Sequence, residues 1–412
     1  MSKRNQIILN YLGFFVLAGS GLMVNLLVSL YYSAKHLGIF NVSYAVFVVL
    51  SQICTFGFHI STLRYFVKYP SQDKKILTVS TISVLSISIV VGMALVLLRD
   101  FLGVFWDEKS ATSNLKYIAL ATASFSVNKV MMWALNAKEY MSAYASFQIL
   151  RGAGVLGGCL FLVFQRDFPP YLLFVCVLIG ESIVTVGLVI YCSKRIGFGV
   201  WRWRLFRILF LFSRKSVPVG MIAQVNYKVD VLCVGYFLND SLTGVYSFMA
   251  LFVDGLLSSI TVLRSFINPK IAAVSGSVKG IIELQREYRL PITLCGVLLM
   301  GIIWGGYLGY LHFFDVTEVY REYAYVLILL VAVPSLLASL WPFDQIFVYK
   351  GSPEIQTKYL TVVLITNLVL NLISIPLFSL WGAAAATGIS MLVGQAYFNL
   401  RMKKEFGRSF LF

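Results

Sequence analysis

The sequence predicts an all-α integral membrane protein of about twelve transmembrane helices, arranged as two six-helix halves around a central cavity. Three observations carry this expectation. The 412 residues are 59% hydrophobic, with a mean hydropathy of +0.82, whereas a soluble domain is about 45–50% apolar. Twelve apolar runs, each close to the roughly 20 residues a spanning helix needs, occupy most of the chain. Lysines and arginines are spread unevenly over the breaks between those runs.

Taken in order, the first half holds spans near 7–32, 40–63, 76–98, 112–136, 142–164 and 171–192. The second holds spans near 217–238, 243–267, 290–311, 322–345, 357–378 and 381–400, the last two joined by a tight turn at 379–382. The first run is too long for the apolar region of a signal peptide, about 7–15 residues, and is expected to be retained as a span. With the N-terminus placed in the cytoplasm, 24 of the 34 lysines and arginines fall on cytoplasmic breaks or span ends. Six fall outside and four within spans. Over short loops this asymmetry orients a membrane protein, so both termini are expected on the cytoplasmic side. It also accounts for the net charge of +16 without nucleic acid.

The chain divides into a first bundle, 1–192, a basic connector, 193–216, and a second bundle with a short tail, 217–412. The connector contains WRWRLFRILFLFSRK. On a helix Arg204, Arg207 and Arg214 fall near one face and Trp201, Leu205, Ile208 and Phe212 on another, with Leu211 close to the basic side. This is approximately the pattern of a helix lying in the membrane interface. A plain topology anchor and an anionic-headgroup site both fit it. An internal repeat relates the bundles: Leu37-Gly38-Ile39-Phe40 and Thr243-Gly244-Val245-Tyr246 lie 206 positions apart, and the same shift places Arg64 on Lys270. Repeats in the same orientation are a known transporter plan.

Glycines four apart, Gly154 with Gly158 and the series Gly301, Gly305 and Gly309, predict close helix packing. Pro334 predicts a kink in the tenth span. The six cysteines lie in or beside apolar runs without the spacing of a metal or redox site, and the three histidines are isolated. No metal site or cofactor is expected. There is no phosphate-binding glycine loop of the ATPase type, no serine-nucleophile elbow and no paired-histidine zinc motif, so the chain is expected not to be an enzyme.

Charges inside apolar spans cost about 2.5–3.5 kcal/mol each at mid-helix, and they turn inward to water or to one another. Arg64, Lys129, Arg151, Lys228 and Arg264 are therefore candidates for a cationic, substrate-binding cavity. Glu181, Asp230, Asp254 and Asp344 are candidates for ion coupling, by H+ or Na+, or for charge pairing. Lys228 and Asp230 are two apart on a helix and do not face each other, so each needs a partner elsewhere. Arginine suits a phosphate ligand because its planar fork binds two oxygens.

At this point the chain resembles a family. LGIFNVSYAVFVVLSQICTFGFHISTLRYF, SRKSVPVGMIAQVNYKVDVLCVGYFLNDSLTGVYSFMALFVD and NAKEYMSAYASFQILRG are similar to segments of Wzx-type polysaccharide flippases. These belong to the MATE-like multidrug/oligosaccharidyl-lipid/polysaccharide exporter superfamily. The resemblance covers essentially the whole chain and rests on the motifs in combination. It implies alternating-access movement of undecaprenyl-pyrophosphate-linked oligosaccharide units, such as O-antigen units of lipopolysaccharide, across the bacterial inner membrane, coupled to an ion gradient. It also implies a lipid bilayer setting and a polysaccharide polymerase and chain-length machinery as partners.

Three rivals are weaker. A multidrug antiporter of the same superfamily favours an anionic cavity, whereas the spans here carry four cations and four anions. An O-antigen polymerase, which is an enzyme, has a large external loop. The longest one here, about 99–111, is too short for that role. A major-facilitator porter is expected to carry a charged signature between spans two and three that STLRYFVKYPSQDKK lacks.

Overall fold

A computed structural model describes residues 3–98, 114–165, 168–274, 277–314, 317–347 and 353–407. The external loop expected at 99–111 lies outside the described residues. Among those described the chain is helical with no strand, and each expected span coincides with helix. The fold is that of an all-α membrane protein. Eight stretches are long and apolar enough to cross a membrane, and Phe15–Tyr31 and Ala324–Leu336 are shorter apolar helices. Two compact units divide the chain, Met1–Gln224 and Val225–Phe412.

Unit 1 contains α1 (Lys3–Tyr31), α2 (Ala34–Thr55), α3 (Phe58–Lys68), α4 (Asp73–Leu97), α5 (Leu115–Ala137), α6 (Met141–Val163) and α7 (Val175–Arg195). It also contains the first part of α8 (Trp203–Phe237). The expected connector and seventh span differ in one respect: α8 starts within the basic connector, and Pro218, expected at the entry to a separate span, lies inside it. α5 packs against α2, α3, α4, α6 and α7. A helix covered on most faces is apolar nearly all round, so the polar Asn128 and Lys129 it carries are delivered to the interior of the unit. Gly154 and Gly158 set α6 against α7: a Cβ on either would come within 3.1–3.3 Å of the Gly180 or Cys176 Cα.

The second span is broken. α2 and α3 are separated by Phe56 (φ 41°) and Gly57 (φ 69°), both left-handed. Glycine adopts that conformation without strain. Space requires it as well, because a Cβ on Gly57 would lie 2.8 Å from the Ser213 carbonyl oxygen of α8.

Unit 2 contains the last part of α8, α9 (Asp240–Val274), α10 (Val278–Phe313), α11 (Glu318–Glu322), α12 (Ala324–Leu336) and α13 (Pro353–Phe406). Asn239 caps the start of α9: the Leu242 amide donates to Asn239 Oδ1 at 2.9 Å, a helix N-cap. α13 is two helices. Ser379 (φ 52°, ψ −135°) reverses the chain, and the Ser374 hydroxyl donates to the Gly382 carbonyl at 2.9 Å. A Cβ on Gly382 would collide with the Ser374 carbonyl, so only glycine closes this turn. Pro334 lies two residues before α12 ends at Leu336, marking a helix end. The packing expected of Gly301, Gly305 and Gly309 is not found among the described residues: a Cβ on Gly301 or Gly305 meets no atom within 4 Å, and one on Gly309 meets only Phe313 of the same helix, at 4.0 Å.

The internal repeat is clear in the helix boundaries. α1 ends at Tyr31 and α8 at Phe237. α2 starts at Ala34 and α9 at Asp240. Each pair is separated by the 206 positions read from the sequence. The break at Phe56-Gly57 has no counterpart in α9.

Candidate functional site

Each unit has a polar centre. In unit 1, α5, α6 and α7 bring three polar side chains together. Arg151 Nε lies 2.9 Å from Glu181 Oε1. The Asn128 amide donates to Glu181 Oε2 and to the Glu181 carbonyl, both at 2.9 Å. Glu181 is only 3% exposed and the Arg151 side chain 12%. A buried carboxylate of this kind keeps its charge because a guanidinium and an amide replace its water. The Arg151 guanidinium also lies over the Phe125 ring, 5.0 Å from its centroid, a cation–π arrangement.

Lys129 shares that ring, with Nζ 5.9 Å from the centroid, and donates to Gln52 Oε1 of α2 at 3.1 Å. Its acceptor is neutral. Arg151 thus has Glu181 as its counter-charge, Lys129 bonds to a neutral amide, and Arg151 Nη2 is buried without a hydrogen-bond partner. The centre carries one excess positive charge and a spare donor, so it can accept an anion. His59 of α3 is buried edge-on to Trp133 of α5, at 4.9 Å.

In unit 2 the centre is a carboxylate held by neutral groups. Asp230 Oδ1 accepts from Asn371 Nδ2 at 2.8 Å and Oδ2 from the Thr387 hydroxyl at 2.7 Å. Asn371 also donates to Asn367 Oδ1 at 2.6 Å, and Asn367 donates to the Ser390 hydroxyl at 3.4 Å. Thr387 lies 3.4 Å from the Tyr246 hydroxyl. Among the described residues Asp230 pairs with no cation. The groups on its carboxylate are an amide N–H and a hydroxyl, both neutral donors, and Asn371 Oδ1 is buried without a hydrogen-bond partner.

The remaining candidates are placed separately. Lys228 and Asp254 form a 3.0 Å ion pair between α8 and α9, so each finds its partner on the neighbouring helix. Asp344 Oδ2 accepts from Gln356 Nε2 at 3.3 Å. Arg64 is exposed near the end of α3, its guanidinium 4.4 Å from the Phe212 ring centroid. The Arg264 side chain lies outside the described residues. Of the cations named from the sequence, Lys129 and Arg151 are thus brought together at Phe125.

Sequence reasoning by charge missed the neutral partners: Gln52, Phe125 and Asn128 in unit 1 and Asn367, Asn371 and Thr387 in unit 2. Asn367 and Asn371 are visible in retrospect as two amides at i, i+4 in an apolar run, which places them on one helix face. Other polar residues in each bundle are equally apolar-flanked, so that spacing alone does not select them.

Comparisons with known proteins agree with this architecture. Residues 5–272 match the family model described as polysaccharide biosynthesis protein. No curated protein sequence matches the chain. Among solved structures, the lipid II flippase MurJ in an inward closed conformation is 13% identical, with a TM-score of 0.77 over 96% of this chain and 87% of that one. An inward-facing multidrug resistance MATE family transporter of the MOP superfamily is 9% identical, with a TM-score of 0.70 over 93% and 94%. The MATE multidrug transporter DinF-BH, in a ligand complex, is 14% identical, with a TM-score of 0.69 over 99% and 96%. At these identities the likeness is one of fold.

Proposed function

The chain belongs to the polysaccharide biosynthesis protein family, and from that premise we propose that it is a flippase for lipid-linked oligosaccharide. The substrate in this reading carries its sugar on an undecaprenyl pyrophosphate and crosses the bacterial inner membrane by alternating access, with both termini cytoplasmic. The observation that supports it most is the cation excess of unit 1. Glu181 pairs with Arg151, Lys129 close by bonds only to the neutral Gln52 side chain, and a buried guanidinium N–H has no acceptor. A pyrophosphate supplies the missing charge and oxygens.

Asp230 is the residue we assign to ion coupling. Its neutral cage leaves a negative charge that a proton or Na+ offsets. The multidrug-antiporter alternative has the same fold in its favour, but the cationic centre of unit 1 suits an anionic cargo. A polymerase and chain-length machinery fit as downstream partners.

The experiment is movement of a fluorescent undecaprenyl-pyrophosphate saccharide across proteoliposomes holding the purified chain, compared with protein-free vesicles and with Lys129→Ala. Faster movement with the chain, lowered by Lys129→Ala, is expected. Equal movement in all three vesicle sets rejects the reading. Export of cationic dyes with no movement of the saccharide would assign the chain to the antiporters.

A further inference from the structure

The connector segment 193–214 contains no aspartate or glutamate, while Lys194, Arg195, Arg202, Arg204, Arg207 and Arg214 are all exposed. Where this segment is helical, in the first part of α8, its two faces have separate uses. Leu205, Leu209 and Ser213 are buried. Phe206 stacks on Phe58, Phe210 on Phe56, and the Ser213 hydroxyl donates to Ser61 Oγ at 3.0 Å. That face is fully occupied by the broken second span of the same unit.

At about 100° per residue, Trp203, Arg204, Arg207, Ile208, Leu211 and Arg214 share an arc of roughly 140° on the other face. All six are exposed. Trp203 is 67% exposed, and Ile208 and Leu211 about 40% each. Of the apolar face expected from Trp201, Leu205, Ile208 and Phe212, Leu205 and Phe212 are turned toward protein, while Trp201 and Ile208 stay exposed. Ile208 joins Trp203 and Leu211, interleaved with three arginines, on the outward face.

We propose that this outward face is a docking surface for anionic phospholipid in the adjoining leaflet. A topology anchor standing in water needs its cations only. Here a tryptophan, an isoleucine and a leucine are exposed among them, the composition of a helix seated at headgroup depth. Arginines between apolar side chains keep their charged ends at the phosphates while their stems lie along the acyl boundary. Charge selects the lipid: the surface is cationic, with no carboxylate of its own segment to compete, and an anionic headgroup complements it. The inference is independent of which cargo the protein carries. Because the buried side of the same helix touches Phe56, Gly57 and Ser61, the lipid contact lies one helix diameter from the break in span two.

The test uses the purified full chain in detergent, titrated with phosphatidylglycerol or phosphatidylcholine, with retained lipid counted by native mass spectrometry. The wild type is expected to retain at least threefold more phosphatidylglycerol than Arg204→Gln/Arg207→Gln/Arg214→Gln, with phosphatidylcholine retention unchanged. Lys358→Gln/Lys403→Gln/Lys404→Gln removes the same charge from exposed positions elsewhere and is expected to behave as wild type. Equal phosphatidylglycerol retention in the arginine variant overturns the proposal, as does an equal loss in the lysine variant. Loss of a dimer in the arginine variant without loss of lipid would give the face to a second copy of the chain and also overturn it. A second readout does not depend on the arginine variant. Brominated phosphatidylglycerol is expected to quench the wild type more than Trp203→Phe, and identical quenching would remove the surface from the bilayer.

Discussion

Glu181 and Asp230 are both carboxylates on helices that line a polar centre, yet they are satisfied in opposite ways. Glu181 is bound by the Arg151 guanidinium and the Asn128 amide. Asp230 is bound by the Asn371 amide and the Thr387 hydroxyl, with no cation among the described residues. The first carboxylate is a structural counter-charge whose removal strands a buried arginine. The second is held by neutral donors alone. The two bundles repeat one helical frame at a fixed displacement, but the charge chemistry within the frame differs. A duplicated scaffold thus carries an ion-paired carboxylate in one unit and a carboxylate held by neutral groups in the other.

That contrast can be broken at either carboxylate. The largest effect is expected from Glu181→Ala, which leaves Arg151 buried and unpaired and should cost about 3–5 kcal/mol of stability. Thermal unfolding in detergent and membrane abundance would report it. If Glu181→Ala is as stable as wild type, the carboxylate is not a counter-charge. Asp230→Asn should leave stability within about 1 kcal/mol, because Asn371 and Thr387 can still bond to an amide. Transport should lose its dependence on the ion gradient. Unchanged gradient dependence would make Asp230 purely structural.

Lys129→Ala should lower transport about tenfold, equivalent to roughly 1.4 kcal/mol, at normal abundance, since only the neutral Gln52 loses a partner. Lys228→Ala sharpens the same comparison: it strands Asp254, which is 34% exposed, and the expected stability cost is up to about 1 kcal/mol. Equal transport by the two lysine variants would dissolve the distinction between a binding cation and a paired one.

Two further effects concern the frame. Gly57→Ala forces a left-handed residue against the Ser213 carbonyl and should destabilise by roughly 1–2 kcal/mol. Gly301→Ala, facing open space inside a helix, should stabilise by up to about 1 kcal/mol. The opposite signs are read by the same thermal scan.

Much of the frame was legible before the coordinates. Span positions follow from run length, because a bilayer-crossing helix needs a set number of apolar residues. The 206-residue displacement was readable from two glycine-aromatic segments. Family and cargo came from resemblance; the residues alone pointed only to intramembrane charges that needed partners. Which partner each charge takes was hidden, because pairing joins Lys129 to Gln52 and Asp230 to Thr387 across 77 and 157 positions. Amides and hydroxyls flanked by apolar residues recur along both bundles, so hydropathy does not single these partners out. The connector showed a related limit. Its helical periodicity was correct, but Leu205 and Phe212 face the protein because the broken second span offers aromatic rings that no local pattern reveals.

The reversal at Ser379 bears on how the protein is made. Only a residue or two separates the helices on either side, and Ser374 and Gly382 are already bonded across it. No polar stretch exists there to be handed through the bilayer after the first of the two helices has inserted. The pair must therefore enter together as a preformed helical hairpin, late in synthesis, once both arms have left the ribosome. A bulky residue at Gly382 would then act first on insertion, and its signature would be misrouted or degraded chains and not a folded but less active protein.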